Sequence, residues 1–481
     1  MTTDDSTENS TMDSIIQDYR AKVGVAFFGG GGENNLRLTV DGCDPKLYPD
    51  FYMFGANTDA KVAQLHFGKQ EDPNKDRWGN ALTIHQLGGN TITKGRGAGG
   101  RPEKGREAAE TEESQAAMRK FFENVDELLL VGAVGGGTGT GALPVAARLA
   151  KEMGKSTLAI VILPEPDEGR NKKANTALKE IQELVPTIAI RNAYLKEFMS
   201  TMSAEDRANL TFKDAWNLVN QNSIVPMLLI IREILQVTGD IINFDQADWE
   251  AMLSCGKHVF FGLADGEKNK SEVTTAEEIV EELFAGRFQD TGLIEQGKVI
   301  GLWAHGPWKK EKTSQIVRLI KQRVCAKNPS MIDDMETHIG IVHEVTDGKM
   351  WMALIIVAES AGDSTLEIKP QREAEPKKSS GLSMVARQGV SSENTIRLLK
   401  FRSGEKNHES GVPAELEIRY KSMLSDKGAT EESATKICEE VETWTGKRPD
   451  LPSRFTKQPA PVTEQARSSW FRWPSDKASI G

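Results

Sequence analysis

The chain has 481 residues, of which 38% are hydrophobic and 27% charged, and its formal net charge at pH 7 is −10. This length is sufficient for two domains and a tail, and the composition is that of a soluble globular protein. The negative charge argues against broad, nonspecific DNA binding by the folded body. The four scattered cysteines form no Cys-x-x-Cys pair, and no apolar run approaches the length that spans a membrane. We therefore expect no disulfide scaffold, no cysteine zinc centre and a cytoplasmic protein.

The first part of the chain predicts an arm followed by a strand that ends in glycines. Residues 1–19 are acidic and polar, which predicts a disordered arm rather than a signal peptide. The apolar residues 23–28 then predict a strand, and the run Gly29-Gly30-Gly31-Gly32 follows it directly. Glycine lets a backbone approach a ligand closely, so this turn is a candidate binding loop.

Two further turns follow in the next seventy residues. A strand predicted at residues 52–56 leads into Asn57-Thr58-Asp59. A glycine-rich turn then covers residues 95–100, and Pro102 suits the first turn of a helix after it.

The run from Gly135 to Gly141 is the most informative motif of the chain. It holds only glycine and threonine, and it lies between a strand predicted at residues 128–131 and a helix predicted at residues 145–153. Strand, glycine turn and helix together aim backbone N–H groups at a phosphate. No Gly-Lys-Ser/Thr follows, which excludes a Walker A loop. The full Rossmann spacing Gly-x-Gly-x-x-Gly occurs only at residues 95–100, where no clear strand precedes it.

The alternation of patterns predicts an α/β fold. Residues 20–210 alternate strand and helix signals, as in a doubly wound parallel sheet. The apolar residues 217–237 predict a long central helix with a kink or break at Pro226. A second α/β domain is then predicted, with strands at residues 258–263, 299–303, 337–345 and 350–358 and helices at residues 275–284 and 313–324.

The composition changes after residue 359. Residues 369–381 are rich in Lys, Glu, Pro and Ser and predict a linker, whereas residues 414–444 have helical character. Near the end, Trp470-Phe471-Arg472-Trp473 forms an aromatic and basic cluster in polar surroundings. Two interpretations stay open: a peptide that docks on an adaptor protein, a membrane surface or nucleic acid, or a tail that folds back on the body.

Taken in order, these loops resemble those of the tubulin/FtsZ superfamily. The string Gly-Gly-Gly-Thr-Gly-Thr-Gly at residues 135–141 is similar to the family's signature, and the likeness is closer to FtsZ and its plasmid and phage relatives than to eukaryotic tubulin. The resemblance covers residues 20–360. It implies a GTP-binding domain at residues 20–212, a central helix at 213–237, an activation domain at 238–361, and a linker with a partly helical, extended C-terminal tail at 362–481.

The resemblance also implies the residues that bind GTP. Phosphate contacts are expected from the first glycine turn, from the turns at residues 57–59 and 95–100, and from the glycine–threonine run. A ribose contact is expected from Glu168, which follows a strand predicted at residues 158–163, with Lys172 four residues later, and guanine contacts are expected from three residues further on. In chain order these residues are Gly29, Gly30, Gly31, Gly32, Asn34, Asn57, Asp59, Gly97, Ala98, Gly99, Gly135, Gly136, Gly137, Thr138, Gly139, Thr140, Glu168, Lys172, Asn192, Phe212 and Asn217.

The expected catalytic residues are Asn243, Asp245 and Asp248. The two aspartates lie at i and i+3, which places both on one face of a helix start. A carboxylate there can orient water toward a γ-phosphate. The resemblance implies that this face belongs to the bottom of one subunit and completes the site of the next.

Ordinary structural roles stand beside these assignments. Asp245 can cap a helix, and Asn192 can serve a turn. Phe212 can belong to the core, and Glu168 can be a solvated acid. The chain also departs from the family pattern at Glu33, Arg96 and Lys172. Residues 61–90 are longer than the matching segment of typical FtsZ and are expected to form a surface insertion. The pair Trp216 and Asn220 would restore the family spacing around Asn217.

The leading hypothesis is a cytoskeletal GTPase that assembles head-to-tail into filaments, with Mg²⁺ as cofactor. It would serve cell division or the positioning of plasmid or phage DNA, with the divergent loops favouring a plasmid or phage role in the cytoplasm of a bacterial, archaeal or phage-infected cell. The alternative is a GTP-binding regulator or adaptor-binding module that does not polymerise. A third hypothesis, a nucleotide-cofactor oxidoreductase, depends on residues 95–100 alone.

Overall fold

The computed structural model describes residues 20–43, 45–46, 48–61, 77–195, 199, 211–239, 241–265, 275–286, 288–343 and 350–359. The predicted N-terminal arm, the linker and the tail with its aromatic cluster lie outside these residues. Within them, no helix is long and apolar enough to cross a membrane.

Six parallel strands form the first part of a single sheet. They are β1 (Val23–Phe28), β2 (Phe51–Asn57), β3 (Leu82–Gln86), β4 (Glu127–Ala133), β5 (Ser156–Leu163) and β6 (Thr187–Arg191). Their order is β3-β2-β1-β4-β5-β6. The direction of winding therefore reverses between β1 and β4, and ligands of open α/β sheets bind beyond the carboxyl ends of strands at such a point.

Five helices cover the two faces of these strands: α1 (Gly29–Gly42), α2 (Pro102–Ala109), α3 (Glu112–Glu123), α4 (Thr138–Glu152) and α5 (Asn171–Leu184). Alternate residues of β4 show the two-sided burial, because Leu129 and Val131 pack in one core cluster and Leu128 and Leu130 in the other. The first cluster includes residues of α1, and the second includes residues of α3, α4 and α5. Burial on both faces explains why these strands are continuous apolar runs rather than alternating ones.

The long central helix is present but irregular. It consists of α6 (Phe212–Val219), a π-helical segment (Asn220–Ile224) and α7 (Val225–Gln236). Pro226 lies in the first turn of α7, directly after the π-helical segment, and its missing N–H interrupts the helical hydrogen bonds at that point. The predicted break is therefore a π-helical turn just before the proline, and this turn packs against α1.

The second part of the sheet is mixed. Its strands are β7 (His258–Asp265), β8 (Gly297–His305), β9 (Glu336–Val342) and β10 (Trp351–Ala358), and its helices are α8 (Gln246–Ser254), α9 (Ala276–Phe284) and α10 (Lys310–Val324). Strand β10 runs antiparallel to both β7 and β8, whereas β8 and β9 are parallel. One residue pair, Thr187 and His258, joins β6 to β7, so all ten strands belong to one sheet.

The predicted fold class is confirmed over the described residues, with two local differences. Helix α4 begins at Thr138, seven residues before the predicted start. Glycine and threonine have low helix propensity, but tertiary packing of this segment overrides it. Residues 77–90 are not a surface insertion. Strand β3 pairs with β2 at the edge of the sheet, and Trp78 is buried beside it.

Candidate functional site

The candidate site lies beyond the carboxyl ends of the parallel strands. Helix α1 follows β1 without a loop, and α4 follows β4 after residues 134–137. The turn after β2 begins at Thr58. Because carboxyl ends of parallel strands share one edge of a sheet, all three segments lie together at the point where the winding reverses.

The first glycine turn is the start of a helix rather than a loop. Helix α1 begins at Gly29, and the residue before it, Phe28, offers no side-chain cap. The first four N–H groups of an α-helix have no partner inside the helix, so this end presents free donors and a favourable dipole. Gly29 has a φ of 71°, and a Cβ there would lie 2.8 Å from the backbone nitrogen of Gly139. The starts of α1 and α4 are therefore in backbone contact.

The glycine–threonine run forms the start of α4. Gly135 has a φ of 105°, and its N–H donates to Oγ1 of Thr140 at 2.8 Å. A Cβ on Gly139 would lie 2.2 Å from the carbonyl oxygen of Ala133, so no other residue fits there. The N-cap residue, Gly137, has no side chain to satisfy the free N–H groups that follow. This end is a second set of backbone donors.

The third turn, residues 95–100, packs against the turn after β2 and against the start of α4. Gly97 and Gly99 have φ values of 79° and 61°, which side chains rarely adopt. The N–H of Gly97 donates to the carbonyl oxygen of Thr58 at 3.1 Å. A Cβ on Gly137 would lie 2.7 Å from Cβ of Ala98, so the third turn lies directly on the start of α4. The structure thus brings together all three glycine segments that the sequence singled out.

Gly30 and Gly136 are among the glycines of these turns that face open space. A Cβ added to Gly30 or to Gly136 would meet no atom within 4 Å, whereas one added to Gly31 would lie 2.4 Å from Cβ of Ala133. The converging helix starts therefore leave room above Gly30 and Gly136 while packing tightly beneath. A chain of phosphates fits such a surface, since it accepts hydrogen bonds from backbone N–H groups.

Three side-chain contacts that sequence reasoning missed hold these turns together. Thr58 is fully buried, and its Oγ1 lies 2.5 Å from Oγ1 of Thr138. Oγ1 of Thr93 donates to the carbonyl oxygen of Thr58 at 3.0 Å, and Nζ of Lys173 donates to the carbonyl oxygen of Gly100 at 3.0 Å. The neighbouring glycines were the only signal in the sequence, because contacts across more than thirty residues leave no local pattern.

A buried acid lies behind the first turn. Glu33 is 1% exposed, and Nδ2 of Asn57 donates to its Oε2 at 2.8 Å. Its other carboxyl oxygen, Oε1, is buried without a hydrogen-bond partner among the described residues. Burial raises the pKa of Glu33 to about 7, the Asn57 hydrogen bond opposes the rise, and the negative charge of Asp59 adds to it. The family departure noted at Glu33 is therefore a proton-binding group under the site, while Asn34 beside it is exposed.

The expected ribose residues lie in the turn after β5. A 3₁₀ turn, Pro166–Glu168, follows that strand, and Oε1 of Glu168 accepts the N–H of Glu165 at 3.0 Å. Glu168 is also 3.6 Å from Nη1 of Arg170, whose Cβ packs near Gly135. Lys172 is exposed in the first turn of α5. The segment that carries both residues thus passes beside the glycine–threonine run at Arg170.

The expected guanine residues lie beyond β6 and on the central helix. Asn192 opens a 3₁₀ turn directly after β6, is 2% exposed, and has a buried Oδ1 without a hydrogen-bond partner among the described residues. Asn217 is half-buried on α6, and Asn220 is buried where the π-helical turn begins. The side chain of Phe212 lies outside the described residues, although its backbone starts α6.

The acidic residues lie at the opposite, amino-terminal ends of the parallel strands. Nε2 of Gln236, at the end of α7, donates to the carbonyl oxygens of Ala21 and Asp50 at 2.8 and 2.9 Å, just before β1 and β2 begin. Nε2 of Gln246 donates to Oε1 of Glu127, the first residue of β4, at 2.9 Å. Gln236 and Gln246 therefore both lie at the amino ends of the strands. The acidic residues and the glycine turns therefore lie at opposite ends of the parallel strands.

The two aspartates form a reciprocal cap at the start of α8. The N–H of Asp248 donates to Oδ1 of Asp245 at 2.9 Å, and the N–H of Asp245 donates to Oδ2 of Asp248 at 3.1 Å. Oδ1 of Asn243 accepts the N–H of Gly239 at 3.0 Å and closes the turn before them. Asn243 and Asp245 are exposed, and the Asp248 side chain is 34% exposed. The ordinary capping role of Asp245 is therefore real, and the pair still faces solvent.

The described residues contain no group of three or more His, Cys, Asp or Glu side chains that could hold a metal ion. Magnesium bound with a nucleotide takes its ligands mainly from phosphate oxygens and water, so it needs no such cage.

Comparisons with known proteins agree with this geometry. The GTPase-domain model of the Tubulin/FtsZ family matches residues 70–200. The cell division protein FtsZ of Aquifex aeolicus is 31% identical over 271 residues, which cover 55% of this chain and 65% of the relative. Cell division protein FtsZ 1 of Pyrococcus abyssi is also 31% identical, over 55% of this chain and 64% of the relative. These matches span a little less than two thirds of each relative.

Solved structures share the fold over a longer stretch. An FtsZ dimer from M. jannaschii is 25% identical with a TM-score of 0.56, covering 73% of this chain and 92% of that chain. A GTPγS-bound protofilament of CetZ2 from Haloferax volcanii is 14% identical with a TM-score of 0.52, covering 71% of this chain and 94% of that chain, and at that identity the likeness concerns the fold alone.

Proposed function

We propose that this chain, which belongs to the tubulin/FtsZ superfamily, hydrolyses GTP between copies that stack head-to-tail into a filament. Members of the family are GTPases, and relatives of this fold include a dimer and a protofilament. Each subunit would bind one nucleotide at the carboxyl ends of its parallel strands. The acids that promote hydrolysis then come from the amino edge of the next subunit.

One observation supports this arrangement above the others. Strand β1 has six residues, which is about 20 Å at 3.3 Å per residue, and it separates the glycine turns from the acidic loop. A carboxylate must lie within hydrogen-bond reach of the attacking water, so the acids of one chain are too far from its own nucleotide. A second copy stacked in the same orientation would bring its amino edge to that nucleotide. Such a contact is heterologous and repeats without closing, which produces a filament.

The chemistry requires little from positively charged side chains. Backbone N–H groups at the starts of α1 and α4 and in the third turn would hold the phosphates, and Mg²⁺, when bound, would neutralise charge on their oxygens. Asp245 and Asp248 of the adjoining subunit would orient the water that attacks the γ-phosphorus in line with the leaving oxygen. Glu168 and Lys172 would contact the ribose. Asn192, whose buried Oδ1 has no hydrogen-bond partner within the described part of the chain, would read guanine together with Asn217 or Asn220 and the ring of Phe212.

A filament of this kind would also have a role in the cell. A cytoplasmic filament would serve cell division or the positioning of plasmid or phage DNA. The aromatic and basic cluster Trp470-Phe471-Arg472-Trp473 would attach the filament to an adaptor protein, a membrane or a DNA complex.

Turnover measured against protein concentration tests the proposal. With saturating GTP and Mg²⁺, we expect phosphate release per chain to be negligible at low concentration and to rise steeply once the chain pellets on centrifugation. A rate per chain that stays constant across the whole range, with no GTP-dependent pellet, would instead establish a regulator that does not polymerise. Absence of both GTP binding and turnover would defeat the proposal altogether.

A further inference from the structure

We infer that His338 is a positioning residue for the acidic pair: it fixes the Asp248 carboxylate in its orientation before a neighbouring subunit arrives. This inference rests on the proposed function, because it assigns a support to the acids that would act on the neighbour's nucleotide. Strand β9, which carries His338, would thereby belong to the hydrolytic machinery.

The imidazole of His338 lies between two carboxylates. Its Nδ1 is 2.9 Å from Oδ1 of Asp248, and its Nε2 is 3.0 Å from Oε1 of Glu336. The His338 side chain is 15% exposed, whereas that of Glu336 is 58% exposed. The ring of Phe244 meets the imidazole edge-on with centroids 6.0 Å apart. An imidazole held on both nitrogens and against a ring cannot turn freely, so it presents a fixed hydrogen-bond partner to Asp248.

Both oxygens of Asp248 are consequently engaged. Oδ1 faces His338, and Oδ2 accepts the N–H of Asp245. The connected series Glu336, His338, Asp248, Asp245 therefore leads from exposed solvent to the residue that begins α8. A carboxylate fixed before the reaction stabilises a transition state without the reorganisation that a mobile one requires. The helix cap alone needs only one of these oxygens, so the histidine contact adds something that capping does not require.

The backbone joins β9 to the acidic loop at a second place. The N–H of Ile341 donates to the carbonyl oxygen of Ile242 at 2.8 Å. A Cβ on Gly340 would lie 2.9 Å from Cβ of Phe244 and 2.2 Å from the ring of Trp303, so the strand and the loop approach too closely for any other residue. The loop therefore takes its position from β9. None of these contacts involves the glycine turns, so disturbing them should leave nucleotide binding intact.

Replacing His338 with residues that keep one contact at a time tests the inference. In His338→Asn the amide nitrogen lies near the original Nδ1 and can donate to Asp248, whereas in His338→Gln it lies nearer Nε2 and Glu336. We expect GTP turnover per pelleted chain to fall at least about tenfold in His338→Gln and His338→Ala, because displacement of a catalytic group by about 1 Å costs up to 10²-fold. The Asn variant should stay within about threefold of the natural chain. GTP affinity of the unassembled chain should be unchanged in all three.

A control and a second readout separate positioning from a general loss of structure. The control is His258→Ala, which removes a half-buried histidine of β7 whose Nδ1 lies 3.1 Å from Nε2 of Gln182, and it should alter neither turnover nor binding. Hydrogen exchange of the backbone amides at residues 244–250, measured without GTP, should accelerate in the Gln and Ala variants but not in the Asn variant. Equal turnover and equal exchange in all three His338 variants would overturn the inference, and so would an Asn variant as impaired as Ala. If the natural chain shows no turnover at all, the proposed function fails, while the exchange data still decide whether His338 holds Asp248.

Discussion

Replacing Glu33 with glutamine should stabilise the protein in a manner that depends on pH. The carboxyl group is almost fully buried behind the first glycine turn, and burial raises the pKa of Glu33 from 4.5 to about 7. Glutamine has nearly the same shape, and its amide oxygen can still accept the hydrogen bond from Asn57. The substitution therefore removes the titration and keeps the packing.

The sign follows from which state binds the proton more tightly. Between pH 4.5 and 7 the folded chain keeps Glu33 protonated while the unfolded chain has released that proton, so the free energy of unfolding falls as pH rises. At 1.36 kcal/mol per unit of pKa shift, the free energy of unfolding above pH 7 is about 3 kcal/mol lower than below pH 4.5. Glu33→Gln does not suffer this loss. Relative to the natural chain, it should gain about 3 kcal/mol between pH 4.5 and pH 8.

Thermal unfolding of both proteins, recorded side by side from pH 5 to pH 8.5, measures this difference. The comparison cancels the other groups that titrate in this range, among them Glu127, whose burial also raises its pKa to about 7. The midpoint of Glu33→Gln should exceed that of the natural chain increasingly up to about pH 7 and then stay constantly higher. A difference between the midpoints that is the same at every pH would refute the reasoning, because Glu33 would then ionise in the folded chain without penalty.

Three further predictions address the site. Gly30→Ala and Gly136→Ala each place a methyl group in open space, so neither should lower the unfolding midpoint. Each should weaken GTP binding at least about tenfold in a calorimetric titration. An unchanged affinity would show that the phosphates do not occupy that space. Thr58→Val deletes the hydroxyl that meets Thr138, and it should lower the free energy of unfolding by about 1–2 kcal/mol and weaken GTP binding, as measured in the same two assays. Asp245→Asn keeps a helix cap of equal quality but loses the charge, so it should abolish turnover while GTP affinity and the unfolding midpoint stay unchanged. Loss of binding would contradict an action on the neighbouring subunit.

Much of the fold could be predicted from the sequence because its strands are buried on both faces. The limits of β1 were predicted correctly, and most of the remaining strands were found to within a few residues, since continuous apolar runs between glycine turns are typical of buried parallel strands. Strand β3 was missed, because Leu82–Gln86 is a short edge strand with mixed polarity and follows residues that resemble an insertion.

The site could be predicted only as far as its local motifs reach. The glycine turns are visible because only glycine adopts their backbone or fits their contacts, as at Gly97 and Gly139. The contacts of Thr58 and His338 could not be predicted, because each is made with a partner distant in sequence: Thr138 for Thr58 and Asp248 for His338. Single-chain periodicity carries no record of such pairs.

Mixing two inactive variants tests the central claim most directly. Gly136→Asp places a negative charge in the open space of the glycine turns and should abolish GTP binding, while Asp245→Asn leaves binding intact and disables the acids. If the acids act on the neighbouring subunit, an equimolar mixture contains interfaces with one intact pocket and one intact loop, and it should recover about one quarter of the natural turnover from two proteins that have none alone. If pocket and acids acted within one chain, the mixture would stay inactive at every concentration, and the head-to-tail account would be wrong.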